Sequence, residues 1–235
     1  MTGTSYPYSG LTGSTKYYWK VGAKNDIGTV FATNSPDSFT TAALPPTAPS
    51  GITFTDVTAA SLTVHWVDNS SNETGFNIYK AIGTGAYTLE GTVGAGVQLF
   101  PVASLSLNVR YHFRVTAYQT VQGESNPAED SVATLANTPL APLSNTITKR
   151  GMNLRPSPSD GNPAVTAYAF YDSASDQYVG SKTISSVYTY YFLSTTPVWR
   201  SRTEWGAPVG TTVVNLLPST NYLWKAKARN LDGVE

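Results

Sequence analysis

One segment occurs three times in the chain, and each copy ends in a tyrosine that begins a stretch of alternating apolar and polar residues. The copies start at Leu11, Leu105 and Leu216, and in each the leucine precedes the tyrosine by six residues. An aromatic residue, a basic residue and an alanine then follow the tyrosine at fixed offsets. Self-similarity of this kind indicates that the chain is assembled from copies of one structural unit.

The residues that follow each tyrosine alternate with a period of two, which predicts a β-strand with one buried face and one solvated face. The opposite face carries polar and basic residues in each copy, as expected for a half-buried antiparallel strand. The predicted core positions are Tyr17, Trp19, Val21 and Ala23 in the first copy, Tyr111, Phe113, Val115 and Ala117 in the second, and Tyr222, Trp224, Ala226 and Ala228 in the third.

The leucine, the turn and the tyrosine together resemble the tyrosine corner of immunoglobulin-like β-sandwiches, in which the tyrosine hydroxyl bonds to nearby backbone. The string from Leu216 through Pro218 and Thr220 to Tyr222 is similar to the start of strand F in fibronectin type III domains. Trp66, on a strand that also carries Leu62 and Val64, resembles the core tryptophan of that family. The resemblance implies an all-β chain of tandem immunoglobulin-like sandwiches. It makes Tyr17, Trp66, Tyr111 and Tyr222 structural anchors.

The length of the chain limits how many of these units are whole. A chain of 235 residues has room for about two ordinary domains, so three copies predict one complete sandwich and two partial ones. We expect residues 1–43 to form an F–G hairpin that turns at Asn25–Gly28, residues 44–137 to form the complete domain, and residues 138–235 to form a third domain that lacks strand G. The predicted strands of the complete domain are 52–57, 62–66, 76–80, 87–93, 97–101, 111–118 and 131–134.

The third unit departs from the family pattern at its second strand. Aligning residues 152–156 with strand B puts Pro156 where the middle unit has Trp66. Proline is tolerated only at the end or edge of a strand, so this strand is doubtful. Tyr222 follows Tyr111 by 111 residues, whereas Tyr111 follows Tyr17 by 94, which predicts an insertion of about 17 residues.

The densest aromatic stretch lies within this third unit. Residues 187–193 are apolar on both alternating faces, which predicts that the second face meets another domain, another subunit or a ligand. Two interpretations stay open: a sugar-stacking platform built on Tyr190, Trp199 and Trp205, or core and interdomain packing, which is the more frequent role of such residues. The candidate surface comprises Tyr188, Tyr190, Phe192, Trp199 and Trp205.

The sequence shows no group of residues with the spacing of a catalytic or metal-binding site. The two histidines, His65 and His112, fall on strands that the family places in opposite sheets. Loop carboxylates could bind a cation, but such residues more often cap turns; they are Asp68, Glu73 and Asp160, and the pair Asp172 and Asp176 has no distinguishing spacing. No nucleophile, phosphate-loop or metalloprotease motif occurs. We therefore predict a protein that is not an enzyme and that needs no cofactor.

The amino-acid composition limits the kinds of partner that the chain can bind. Charged residues make up 13% of the chain and the formal net charge is zero, which argues against a nucleic-acid partner because that needs a basic face. There is no cysteine, so disulfides cannot stabilise the fold, and no apolar run is long enough for a membrane span. Asn69 and Asn72 begin formal glycosylation acceptors, which matter only where the source glycosylates.

Two functions fit these patterns. The first is an extracellular or cell-surface structural protein, a filament protomer joined head-to-tail by strand or hairpin exchange between its incomplete ends, whose partners are copies of itself or neighbouring modules. The alternative is a set of accessory spacer or carbohydrate-binding modules from a larger secreted polysaccharide-degrading enzyme or a cell-surface adhesin. Polysaccharide would then be the ligand.

Overall fold

A computed structural model describes residues 5–34, 36–183, 189–207 and 209–235. The regular elements in these ranges are all β-strands, which confirms the predicted all-β class. Within the same ranges, no helix is long and apolar enough to cross a lipid bilayer.

The first unit is one long hairpin built from four short strands. Strand β1 pairs with β4, β2 pairs with β3, and the turn between β2 and β3 closes where Asn25 N–H donates to the carbonyl of Gly28 at 3.0 Å. Tyr17 stacks on Phe39 with ring centroids 6.0 Å apart. Most large apolar side chains of this hairpin are exposed. The strands are β1 (Lys16–Trp19), β2 (Gly22–Lys24), β3 (Thr29–Phe31) and β4 (Asp37–Thr40).

The middle unit is a sandwich of two separate antiparallel sheets. One sheet has the order β5-β6-β9, and the other has the order β11-β10-β7-β8, with β12 also paired to β10. All seven strands predicted for this unit are present, together with the short β11. The strands are β5 (Ser50–Thr55), β6 (Leu62–Val67), β7 (Gly75–Ile82), β8 (Thr88–Gly94), β9 (Leu99–Val102), β10 (Arg110–Gln119), β11 (Gly123–Glu124) and β12 (Ala128–Ala133).

The core of the middle unit lies between these sheets, on the faces that the alternation predicted. Leu62, Val64 and Trp66 of β6 are buried, and the Trp66 indole packs on Phe76 with ring centroids 5.4 Å apart. His65 and His112 point outward from different sheets, as expected. The inward alternation therefore decides which face of each strand is removed from water.

The third unit joins its two faces into one continuous sheet. The strand order is β13-β14-β19-β17-β16-β15-β18, and β20 also pairs with β15. The link between the faces is a parallel contact of Tyr191 in β17 with Val213 in β19. Strands β17 and β18 lie between β16 and β19, whereas the middle unit has no strand between β8 and β9. The strands are β13 (Leu143–Asn145), β14 (Gly151–Arg155), β15 (Ala167–Asp172), β16 (Gln177–Thr183), β17 (Thr189–Ser194), β18 (Arg200–Ser201), β19 (Thr211–Val214) and β20 (Trp224–Arg229).

The second strand of the third unit is present, which corrects the doubt raised by Pro156. Strand β14 pairs with both β13 and β19, and it ends at Arg155, one residue before the proline. Proline lacks a backbone N–H, so it can follow the last ladder bond without breaking one. The ring of Pro156 is buried just beyond the strand.

Trp205 fills the core of the third unit, where the strand-B tryptophan is missing. Its side chain is fully buried and packs on Phe170 and Tyr191, with ring centroids 4.5 Å and 5.2 Å apart. Its indole N–H donates to the carbonyl of Tyr168 at 2.9 Å. A residue enclosed in this way cannot stack on a ligand, so its assignment to a sugar-binding platform is wrong. The packing interpretation holds for this residue.

Candidate functional site

The repeated tyrosines make the same hydrogen bond in all three units. In each, the hydroxyl accepts from the backbone N–H of the residue directly after the leucine, five residues before the tyrosine. The donors are Thr12 for Tyr17 at 2.8 Å, Ser106 for Tyr111 at 2.8 Å and Leu217 for Tyr222 at 2.7 Å. This geometry is that of the predicted tyrosine corner.

Each corner also contains a residue in the left-handed backbone region, three positions before the tyrosine. Ser14, Asn108 and Ser219 have φ values of 51°, 48° and 55°. Asparagine enters this region more readily than most residues because its short amide can bond locally. Only the middle corner uses asparagine here, and its side chain has a further role.

Asn108 reaches from the middle unit into the third. Its amide nitrogen donates to the hydroxyl of Thr166 at 2.7 Å, and its amide oxygen accepts from the backbone N–H of Leu231 at 2.8 Å. Both Asn108 and Thr166 are buried. A buried amide with donor and acceptor both satisfied fixes the relative position of the two segments that it joins.

A turn of the third unit also makes hydrogen bonds to the middle unit. Residues 230–233 form a turn, closed by Gly233 N–H donating to the Asn230 carbonyl at 3.0 Å. The Asn230 amide nitrogen donates to the carbonyls of Ala133 and Thr134 at 3.1 Å and 3.3 Å. Its amide oxygen accepts from Val234 N–H at 2.8 Å within the turn. One buried side chain therefore holds both the turn and the end of β12.

An ion pair extends the same contact towards solvent. The Asp232 carboxylate accepts from the backbone N–H of Ala133 at 2.6 Å and pairs with the guanidinium of Arg110. The two side chains are 28% and 35% exposed, so solvent screens the pair and its contribution is modest.

The loop between β14 and β15 of the third unit makes hydrogen bonds to the segment that connects this unit to the middle unit. The Asn162 amide oxygen accepts from the backbone N–H of Asn137 at 2.7 Å, and the Asn162 amide nitrogen donates to the Asn137 carbonyl at 3.0 Å. The Asn137 side chain donates to the carbonyl of Asp160 at 3.2 Å. The connection between the two units is therefore anchored at residue 137, just before the proline-rich stretch begins.

Asp160 is the centre of the polar network beneath this loop. Its carboxylate accepts from the Tyr168 hydroxyl at 2.8 Å and pairs with the Arg202 guanidinium at 2.7 Å. It also caps the loop by accepting from the backbone N–H of Asn162 at 3.0 Å. Burial, together with the bond to Asp160, raises the pKa of Tyr168 to about 12. Of the two roles considered for Asp160, the structure shows the turn cap.

We refer to Asn108, Asp232, Asn230, Thr166 and Asn162 with their partners as the joint. Sequence reasoning did not predict that these residues meet. The bonded residues are 25 to 123 positions apart, and no periodic pattern connects them. The one local signal is asparagine at Asn108, where the other two corners have serine.

The predicted aromatic surface does not form one platform in the part of the chain that the structure describes. Tyr188 and the side chain of Tyr190 lie outside the described residues. Phe192 and Trp199 are half-buried, and the Arg229 guanidinium lies over the Trp199 ring at 4.7 Å from its centroid. Trp199 is thus paired with a cation of its own unit.

The remaining carboxylates have structural roles. Asp172 is fully buried rather than solvated, and it accepts from the backbone N–H of Leu223 at 2.6 Å and from the Ser175 hydroxyl at 2.6 Å. Burial raises the pKa of the Asp172 carboxyl, but these hydrogen bonds outweigh it and hold the pKa below its usual value. Asp68 caps its loop by accepting from Ser70 N–H at 2.9 Å. Among the described residues, no three acidic or histidine side chains cluster as metal ligands would.

Comparison with known sequences agrees with this geometry. Residues 47–132 match the family model of the fibronectin type III domain. These residues belong to the fibronectin type III family. The first and third units carry the same tyrosine corner as this fibronectin type III domain, with the donor and the left-handed residue at the same positions relative to the tyrosine.

One curated relative and two solved structures place the domain in context. Chitinase A1 of Niallia circulans is 31% identical over 141 residues, which are 57% of this chain and 19% of that protein, so the chain spans about a fifth of its relative. A segment of two fibronectin type III domains from chicken tenascin is 13% identical with a TM-score of 0.48, over 77% of this chain and 91% of that one. Domains d3–d4 of the rat CD45 extracellular region are 18% identical with a TM-score of 0.39, over 57% and 71% of the two chains.

Proposed function

We propose that this chain is a non-enzymatic, extracellular spacer in which the fibronectin type III domain and the third unit act as one rigid rod. The observation that carries the proposal is the Asn230 side chain, which donates to two carbonyls of the fibronectin type III domain while it holds its own turn. Units joined by a flexible linker would not need buried side chains that satisfy each other across the boundary.

The match to Chitinase A1 supports one setting for such a spacer. The chain resembles part of a protein whose name denotes a chitin-degrading enzyme, and it covers only a fifth of it. We infer that the chain has an accessory role in a secreted polysaccharide-degrading protein, where it holds other modules at a fixed separation. In this role the spacer does not itself retain the polysaccharide.

Rigidity is tested by electron–electron distance measurements between spin labels, one on the fibronectin type III domain and one on the third unit. We expect a single narrow distance distribution. The double variant N230A/D232A removes the side chains that cross the boundary and should broaden the distribution. The exposed Asn221, changed to alanine, is the matched control. A broad distribution in the unaltered chain would contradict the proposal.

Carbohydrate binding is tested by retention on insoluble chitin. The spacer proposal expects no retention above that of an unrelated β-sandwich protein. Trp199 is the half-buried tryptophan of the candidate surface that the structure describes, so W199A serves as the diagnostic variant. Retention that W199A abolishes would favour the carbohydrate-binding alternative over the spacer.

Self-assembly is a second candidate function, and a separate observation favours it. The first unit has an apolar groove of about 950 Å³, lined by Tyr6, Tyr8, Leu11, Tyr17, Trp19 and Phe39 among others. Trp19 is 46% exposed and Phe39 is 45% exposed, although the alternation puts both on the core face. Exposed apolar patches often mark contact surfaces. We propose that this face joins copies of the chain head-to-tail.

Sedimentation velocity over a range of concentrations tests assembly. Head-to-tail contacts predict species that grow with concentration, and the variant W19S/F39S should sediment as a monomer. Oligomers of unchanged size in the variant, or a monomer at every concentration of the unaltered chain, would rule out assembly through this face. Neither outcome bears on the rigidity of the joint, so the two candidates are tested separately.

A further inference from the structure

The fibronectin type III domain has a pocket of about 360 Å³ on the outer face of the sheet that contains β7 and β10. Two tyrosine rings, a guanidinium and a carboxylate line it, from Tyr79, Tyr87, Arg114 and Glu124. All seven strands predicted for this domain are present. The pocket is therefore a feature of the complete domain and not the place of a missing strand.

The Glu124 carboxylate is held in position by three neutral donors. Its Oε1 atom accepts from the Asn77 amide at 2.7 Å and from the Tyr79 hydroxyl at 2.6 Å, and its Oε2 atom accepts from the Thr116 hydroxyl at 2.7 Å. Burial raises the pKa of the Glu124 carboxyl, but these hydrogen bonds outweigh it and hold the pKa below its usual value. The group is therefore ionised at neutral pH.

The charge of Glu124 is not neutralised by the described part of the chain, where this carboxylate makes no ion pair. Arg114 lines the same pocket, but it pairs with Glu129 at 2.6 Å. Lys80 is the one lysine within residues 47–132, and it pairs with Glu90 at 2.8 Å. A cation for Glu124 must therefore come from outside the domain.

The third unit shows which cation fits at this position of the sheet. Counting from the corner tyrosines, Glu124 corresponds to Glu235, and Thr116 corresponds to Lys227. The Lys227 ammonium lies 2.8 Å from the Glu235 carboxylate and 5.4 Å from the centroid of the Tyr178 ring. The third unit thus supplies its own lysine to a carboxylate and a tyrosine ring. The fibronectin type III domain has a threonine there instead.

The free acceptor sites of Glu124 favour an ammonium group over a guanidinium. Each carboxylate oxygen can accept about two hydrogen bonds. Oε1 already accepts two, whereas Oε2 accepts one and can accept one more. A guanidinium binds a carboxylate best through both oxygens at once, whereas an ammonium is a compact charge that needs only one.

The walls of the pocket suit the rest of a lysine side chain. The rings of Tyr79 and Tyr87 attract a cation through their faces. The Arg114 guanidinium lies 4.2 Å from the centroid of the Tyr87 ring, so this ring already binds one cation. Pro127 adds a further apolar surface. Lysine buries its carbon stem along surfaces of this kind while its ammonium stays with a polar partner.

We propose that this pocket binds the ammonium group of a lysine side chain from a partner protein. The Glu124 carboxylate accepts a hydrogen bond from the ammonium through Oε2, and the tyrosine rings cover the stem. Glu124 is exposed, so a lysine on the surface of the partner can reach it while both proteins stay folded. The partner thereby makes from outside the contact that Lys227 makes within the third unit.

NMR titration of the full chain, labelled with nitrogen-15, tests the proposal. The probe is lysine blocked as its Nα-acetyl N-methylamide, added at constant ionic strength. We expect saturable shifts of the backbone N–H signals of Thr116, Glu124 and Ser125. The Nε-acetylated form of the probe, which has no charge, should cause none. Blocked arginine and methylammonium should bind roughly tenfold more weakly, because one lacks a single compact charge and the other lacks a stem.

Three variants of the chain locate the site. E124Q removes the charge and should weaken binding roughly tenfold or more. E90Q removes a carboxylate of the neighbouring strand β8 and should bind the probe like the unaltered chain. T116K places a lysine where the third unit has Lys227, so it should fill the site and abolish binding. Thermal unfolding shows whether each variant is folded. If T116K is not, the comparison of E124Q with E90Q decides the question.

Several results would overturn the proposal. They are no saturable shifts with blocked lysine, equal affinity for blocked lysine and blocked arginine, or binding that E124Q leaves unchanged. Equal affinity for methylammonium would assign the pocket to small amines instead of a protein side chain. Self-association of the unaltered chain that E124Q abolishes would assign the lysine to a second copy instead of a different protein.

Discussion

The amide of Asn108 donates to the hydroxyl of Thr166 at 2.7 Å, across 58 positions of the sequence and between two sandwich units. Asn108 occupies the left-handed position of a tyrosine corner, a position that the other two units give to serine. The turn of the tyrosine corner therefore also carries a hydrogen bond that joins the middle unit to the third unit. The amide oxygen of the same side chain accepts from Leu231 N–H at 2.8 Å, so Asn108 also binds the turn at residues 230–233.

Replacing Asn108 by glycine should uncouple the two units without straining the backbone, because glycine adopts positive φ freely. The variant loses the bonds to Thr166 and Leu231, each worth about 1 kcal/mol in net stability. Rotational correlation times from NMR relaxation should then differ between the units, whereas they should agree in the unaltered chain. S219G changes the equivalent position of the third unit and should leave the correlation times equal. Equal correlation times in N108G would contradict the role given to Asn108.

The hydrogen bonds of the tyrosine corners should contribute different amounts to the free energy of unfolding, although their geometry is the same. Tyr111 is buried, whereas the bond between Leu217 and Tyr222 is exposed. Removing the hydroxyl should cost about 2 kcal/mol in Y111F, because it leaves a partly buried N–H unsatisfied, and about 0.5–1 kcal/mol in Y222F, because water replaces the lost acceptor. Urea denaturation measures both losses. The assignment fails if Y222F is the more destabilised of the two.

Alkaline pH should weaken the third unit through Tyr168. The pKa of this hydroxyl is raised to about 12, above its value of about 10 in an unfolded chain. The folded state therefore favours the protonated form. That stabilisation is complete below about pH 10 and is lost as the pH rises through 12. The free energy of unfolding should fall over this range, and less steeply in Y168F than in the unaltered chain. Y8F, at an exposed tyrosine, is the control and should keep the steep fall.

Trp205 and Trp199 should respond differently to truncation. W205A removes a fully buried ring that packs on Phe170, and it should cost about 3–5 kcal/mol. W199A loses a half-buried ring and its contact with Arg229, which together are worth about 1 kcal/mol. Thermal unfolding of the two variants measures the difference. Equal losses would mean that Trp205 is not the core residue of the third unit.

Most of the fold could be predicted from the sequence because its signals are local. The alternation around Trp66 predicted the buried face of β6, and the spacing from leucine to tyrosine predicted a hydrogen bond that all three units make. A period of two and a tight turn are properties of a few consecutive residues, so the sequence displays them directly. The spacing between Tyr111 and Tyr222 also predicted an insertion in the third unit, which stays a prediction.

The predictions that were wrong concern residues whose environment depends on distant parts of the chain. Pro156 raised doubt about a strand that ends one residue earlier, and the boundary is visible only in the pairing of β14 with β13 and β19. Trp205 was a candidate for a ligand surface because it lies in the densest aromatic stretch of the sequence. It is in the core because the fold brings it against Phe170 and Tyr191, and close packing leaves few empty spaces in protein interiors.

The sequence alone determined the repeating unit, the all-β class, the tyrosine corners and the inward faces of the fibronectin type III domain, since each depends on the chemistry of neighbouring residues. Only the tertiary structure decided that Asn108, Asn230 and Asn162 form a joint, and that Trp205 lies in the core of the third unit. Amide side chains occur both at exposed positions and in buried hydrogen-bond networks. Their role is decided by which partners the fold brings within about 3 Å, and sequence spacing does not carry that information.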